Sequence, residues 1–179
     1  ARLFKSVFGV SKDDSDIYLP NTGAALVPDG ETIDMFEPIL MWKDLDITEN
    51  YISHIDGLFS WLTLTKEQHP SDIVILVPTH AQGLQLTCYF QNKNIDVNHV
   101  FDGGELKNKK SFYMGDSRLK ICTVHSFKGW ELKNVILLIP SDNSLPDSLD
   151  RLIYTSITRS MSSILVLNQR YTEFGKSWE

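Results

Sequence analysis

A chain of 179 residues with 42% hydrophobic content is sized for one soluble domain that buries a core without crosslinks. Seventeen Lys and Arg against twenty-three Asp and Glu leave a formal charge of −6, which argues against a broad basic surface gripping nucleic acid, so any such contact must be local. The two cysteines, Cys88 and Cys122, form no C-x-x-C pair, which speaks against a zinc site or disulfide framework and suits a reducing, cytoplasmic setting; no apolar run nears the roughly 18 residues of a membrane span.

Residues 1–37 hold Ser11-Lys12-Asp13-Asp14-Ser15-Asp16 and then Pro20, Gly23, Pro28 and Gly30, the composition of an irregular lead-in. Residues 38–42 form a short apolar run. Ile47, Tyr51, Ile52, Ile55, Leu58, Phe59 and Leu62 then recur at helical spacing, and Asp46 with Glu49 predicts a capping box for that helix. Ile73-Val74-Ile75-Leu76-Val77 has no polar alternation, as expected of a strand covered on both faces. Thr79 and Gln82 predict the cap of a helix running to about Asn92. Further strands are expected at about 97–101, 119–124 and 134–139, a helix at about 146–158 with Pro146 in its first turn, and a last strand at 163–167. Strands alternating with helices predict an α/β fold, a doubly wound and mostly parallel sheet with helices on both faces and ligands outside the carboxyl ends of the strands. The expected organisation is a lead-in over 1–37 and one domain over 38–179.

Two segments concentrate chemistry. The first, Thr123-Val124-His125-Ser126-Phe127-Lys128-Gly129-Trp130-Glu131, packs hydroxyls, an imidazole, an ammonium, a glycine and a carboxylate behind a buried strand. Gly129 permits a tight turn, and small hydroxyls offer donors to phosphate oxygens. Taken singly, the residues have plainer roles: Thr123 and Ser126 cap a helical turn, and Lys128 with Glu131 forms a surface pair. Their density and position favour a site. The second, Arg151-Leu152-Ile153-Tyr154-Thr155-Ser156-Ile157-Thr158-Arg159-Ser160, covers a helix end and the turn into the last strand. Arg151, Thr155, Thr158 and Arg159 share its polar face. Arg159 either complements the helix dipole or reaches a phosphate bound by another domain.

The first segment resembles motif V of UvrD/Rep-type superfamily 1 DNA helicases, T-x-H-x-x-K-G-L-E, and residues 152–160 resemble their motif VI, L-x-Y-V-A-x-T-R-A. Residues 73–82 are similar to the strand and turn that open the family's second RecA-like motor domain. The likeness implies that Thr123 and His125 face a single-stranded DNA track, that Glu131 reaches the nucleotide ribose, and that Arg159 contacts the γ-phosphate. Lys128, Gly129 and Tyr154 match family positions that shape the nucleotide site. Trp130 stands where the family has leucine, Thr155 and Ser156 where it has Val-Ala, and Ser160 where it has alanine. No G-x-x-x-x-G-K-[ST] loop occurs, so ATP with Mg²⁺ would be held mainly by a first motor domain of the same parent chain. The stretch 102–118 is too short for the family's accessory domain. The implied function is the C-terminal motor domain of an ATP-dependent DNA helicase or translocase that is inactive by itself and needs no membrane. The alternative is a helicase-derived interaction module without ATPase activity, against which the intact Glu131 and Arg159 argue; a free-standing α/β enzyme lacks a complete catalytic set.

Overall fold

The computed structural model describes residues 39–46, 48–101, 112–113, 115–139 and 149–169, all within one compact unit over Pro38–Tyr171. The expected lead-in over 1–37, Pro146 and most of the polar stretch after Phe101 lie outside the described residues. The described chain forms β1 (Leu40–Asp44), α1 (Tyr51–Ser60), β2 (Ile73–Val77), α2 (His80–Asn92), β3 (Val97–His99), β4 (Leu119–Thr123), β5 (Leu132–Ile139), α3 (Leu149–Ile157) and β6 (Ser160–Asn168). The strands make one six-stranded sheet in the order β1-β6-β5-β2-β4-β3, and every pairing is parallel. This is the doubly wound, RecA-like arrangement expected, with the sheet wholly rather than mostly parallel.

Side chains alternate between faces along a strand, yet all five residues of β2 are completely buried, so both faces of the sheet's centre are covered. The core continues through Ile121 and Cys122 of β4, Val135 to Ile139 of β5 and Leu165 to Leu167 of β6. Burial alone pushes the Cys122 thiol far above its ordinary range, while Cys88 is exposed; neither is in a disulfide. The apolar run at 38–42 becomes β1, paired with β6 from Leu40↔Ile164 to Asp44↔Asn168 at the edge of the sheet.

The start of α1 differs from the expectation. Asn50, not Asp46, caps it, its side-chain oxygen accepting from the Ile52 amide at 3.0 Å. Asp46 and Glu49 do form box-like bonds, Glu49 Oε1 accepting from the Asp46 amide at 3.4 Å and Asp46 Oδ1 from the Thr48 amide at 3.3 Å, but in a turn before the helix. By contrast Thr79 caps α2 as expected, accepting from the Gln82 amide at 3.3 Å and sharing a 2.9 Å bond with the Gln82 side chain. After α1 the helix widens into a π-helical turn, Trp61–Thr65, before a single 3₁₀ turn, Pro70–Asp72, feeds β2.

Candidate functional site

The sheet order separates the expected site residues into two groups. β2 lies between β4 and β5, so the chain leaving β4 must cross β2 and return to the opposite pole to start a parallel strand. Val77 pairs with Thr123, and Leu76 pairs with Leu137, so Thr123 lies level with about Leu138. Leu132 lies six residues lower on β5, a drop of about 20 Å at strand rise. Thr123 and His125 therefore sit at the carboxyl pole, whereas Glu131 and Arg159 immediately precede the amino ends of β5 and β6. The expectation that the whole first segment stands at the carboxyl ends holds for its first half only, because a loop joining parallel strands spans both ends.

At the carboxyl pole Thr123 is buried. Its hydroxyl lies 3.0 Å from the Ser126 hydroxyl and accepts from the Ser126 amide at 3.3 Å, while its carbonyl accepts from the Ser126 and Phe127 amides at 3.0 and 3.1 Å. This is the turn-capping role that short hydroxyl side chains favour. Phe127 is 1% exposed and anchors the loop in the core, which leaves His125, Lys128, Gly129, Trp130 and Glu131 on the surface. Gly129 has φ +91°, a left-handed conformation that side-chain-bearing residues rarely adopt, and it turns the chain at the midpoint of its return. Trp130, 38% exposed, follows directly.

At the amino pole the register sets the geometry. Leu132 pairs with Ser160, and the Leu132 amide donates to the Arg159 carbonyl at 3.1 Å. The side chains just outside this bond meet: an Arg159 terminal nitrogen lies 3.5 Å from Glu131 Oε1, although 28 residues separate them. Glu131 is 57% and Arg159 30% exposed in the side chain, so the pair is partly solvated. Arg159 Nε is buried and has no hydrogen-bond partner among the described residues. The neighbouring cation Lys133 is engaged elsewhere, by Asp72 at 2.9 Å. Lys128 forms no ion pair with Glu131 among the described residues, so the plainer surface pairing of those two is not seen. Tyr154 is 42% exposed on α3, and Ile153 and Ser156 face the core.

One charged residue inside the sheet was not singled out from the sequence. Lys120 is completely buried in β4, and its ammonium donates to the carbonyls of Ser71, Asp116 and Arg118 at 2.8, 2.7 and 3.2 Å. Burial lowers its pKa. The signal was a lysine inside an otherwise apolar strand, which requires partners for its charge. Those partners tie the amino end of β4 to the turn before β2, and the role is architectural. No group of His, Cys, Asp and Glu among the described residues could hold a metal ion, and no described helix is long and apolar enough to cross a membrane.

No protein-family model matches the chain, and no curated protein does. Solved structures do. The chain is similar to the UvsW helicase from bacteriophage T4, with a TM-score of 0.50 and 16% identity over 79% of this chain and 51% of that one. It is also similar to the C-terminal domain of a possible DNA helicase from Lactobacillus plantarum, at TM-score 0.49 and 15% identity over 75% of this chain and 73% of that one. The E. coli DEAD-box protein SrmB, in complex with the regulator RraA, follows at TM-score 0.47 and 14% identity, over 75% of this chain and 78% of that one. At such identities the likeness to the T4 protein speaks for the fold, and the roles of individual residues rest on their chemistry.

Proposed function

We propose that the chain is the second RecA-like motor domain of an ATP-dependent DNA helicase or translocase of the UvrD/Rep type. In this reading Arg159 meets the γ-phosphate of a nucleotide held mainly by a first motor domain, Glu131 stands beside it at the nucleotide, and Thr123 and His125 border single-stranded DNA. The observation that carries the reading is the meeting of Glu131 and Arg159, two motif residues from distant segments, at the amino pole of the sheet. Lys128, Gly129 and Tyr154 shape the loop and helix around that pole.

The residues fit half of a nucleotide site. Arg159 has a buried Nε without a partner among the described residues and a terminal nitrogen only loosely engaged at 3.5 Å, so the guanidinium has donors to spare for phosphate oxygens. The chain contains no phosphate-gripping loop, and a single arginine does not replace it. When bound, Mg²⁺-ATP supplies the phosphoryl group whose transfer to water drives motion. Arg159 stabilises the charge developed in that transfer, and the segment 124–131 physically joins the DNA-facing pole to the nucleotide-facing one.

Arg159→Ala in the complete parent is expected to lower ATP turnover by about 10³ to 10⁵, the usual worth of an arginine finger. The denaturation midpoint should hardly move. A lowered midpoint with normal turnover would sink the reading and leave Arg159 as a cation complementing a helix end, worth about 0.3 to 1 kcal/mol.

A further inference from the structure

We infer that Glu131 is a positioning residue for Arg159, holding its guanidinium at the amino pole of the sheet until a phosphate takes it over. The inference rests on the reading of Arg159 as a phosphate-contacting arginine, and it goes beyond the ribose contact that the family resemblance implies for Glu131.

The backbone fixes the two residues before their side chains act. Glu131 precedes Leu132, Leu132 pairs with Ser160, and the Leu132 amide is bonded to the carbonyl of Arg159 itself at 3.1 Å. Neither residue can drift from the other without breaking the first rung between β5 and β6. The Arg159 amide adds a third restraint by donating to Ser156 at the end of α3, 3.2 Å away. From this frame the carboxylate reaches the guanidinium at 3.5 Å. Lys133 is held by Asp72, and among the described residues Lys128 forms no ion pair with Glu131.

The pair has the strength of a temporary hold. A contact of 3.5 Å with a carboxylate 57% exposed is screened by water, so it orients the arginine without trapping it. A phosphate group offers more charge and more acceptor oxygens, and wins the guanidinium by forming the stronger charge-assisted bonds. Orientation matters because a long, unrestrained arginine samples many rotamers, and transition-state stabilisation requires its donors to be in place beforehand.

The test has a spectroscopic arm and a kinetic arm. In the nucleotide-free chain, hindered rotation about the Arg159 Nε–Cζ bond is read from its guanidinium proton signals, assigned by their loss in Arg159→Ala. Rotation should be slow in the native chain and fast in Glu131→Gln; equal rates in the two would overturn the proposal whatever nucleotide does. In the complete parent, Glu131→Gln should lower kcat on the order of tenfold to a hundredfold, the effect of a misplaced catalytic group. That loss should vanish in the Arg159→Ala background, since the carboxylate acts through the arginine. Losses that multiply in the double variant, or a defect confined to KM and absent with 3′-deoxy-ATP, would give Glu131 to the ribose instead. If Arg159→Ala itself turns over normally, the motor reading falls and the positioning role with it, an outcome distinct from failure of the pair alone.

Discussion

Asp116 takes three hydrogen bonds from a single neighbour, accepting from the Arg118 amide at 2.9 Å, its Nε at 2.8 Å and a terminal nitrogen at 2.6 Å. The Arg118 side chain is the main reason that the carboxyl titrates at about 2, below its ordinary 3.8. The carbonyl of the same Asp116 is one of the three that receive the buried Lys120 ammonium, so ordering this residue also orders an acceptor inside the sheet. A carboxyl with a folded-state pKa below its unfolded value stabilises the fold above the unfolded pKa, and that contribution is lost as pH falls toward the folded one. Asp116→Asn should therefore cost about 1 kcal/mol at neutral pH, a figure reduced for screening because the Arg118 side chain is 42% exposed. Urea midpoints of the variant and the native chain should converge between about pH 4 and about pH 2. A gap that stays constant across that window would show that the ion pair contributes nothing.

At the scale of elements, two glycines in helices make opposite predictions. Gly57 lies exposed in α1, and a Cβ built there meets nothing within 4 Å. Gly57→Ala should stabilise the fold by about 0.5 to 1 kcal/mol, the difference in helix propensity. Gly83 in the first turns of α2 is pressed against the ring of Phe101, which is 1% exposed, stacked with His99 and edge-on to His80. A Cβ there would overlap the ring, so Gly83→Ala should lose about 1 to 3 kcal/mol to overpacking against at most 1 gained in propensity. Thermal midpoints that rise together would mean that Phe101 yields freely. The same elements show what could be read beforehand. β2 was legible to the residue because a short apolar run rich in β-branched residues favours a strand covered on both faces, and Thr79 was legible because its capping pattern had no rival. The start of α1 was not, since Asp46-x-x-Glu49 and Asn50 are both good caps and only the backbone leaving β1 chooses between them. Thr123, His125, Glu131 and Arg159 are candidates through the motifs that their two segments resemble, since taken singly each residue has a plainer role. Their division between the two poles, and the contact of Glu131 with Arg159, depend on β5 lying beside β6 with β2 on its other side, an order that no local pattern encodes.

For the whole molecule, the charge and the missing phosphate loop point the same way. The formal charge is −6, and in the proposed reading Glu131 and Arg159 form one wall of a nucleotide cleft whose other wall a first motor domain supplies. One arginine without a cradle of backbone amides gives little ground-state affinity for ATP and no positioned water, so positioning and charge stabilisation, the two sources of phosphoryl-transfer catalysis, are both incomplete. The purified 179-residue chain should release no phosphate from ATP above background, with or without single-stranded DNA. It should bind single-stranded DNA weakly through the pole that carries His125. With one or two phosphate contacts, the slope of log affinity against log salt should be about −0.7 to −1.4. A much steeper slope would require a basic surface that this composition does not supply, and would move the DNA track away from the β4 loop. Turnover that rises with added DNA would refute the division of labour itself, because it would need a complete phosphate site within these residues.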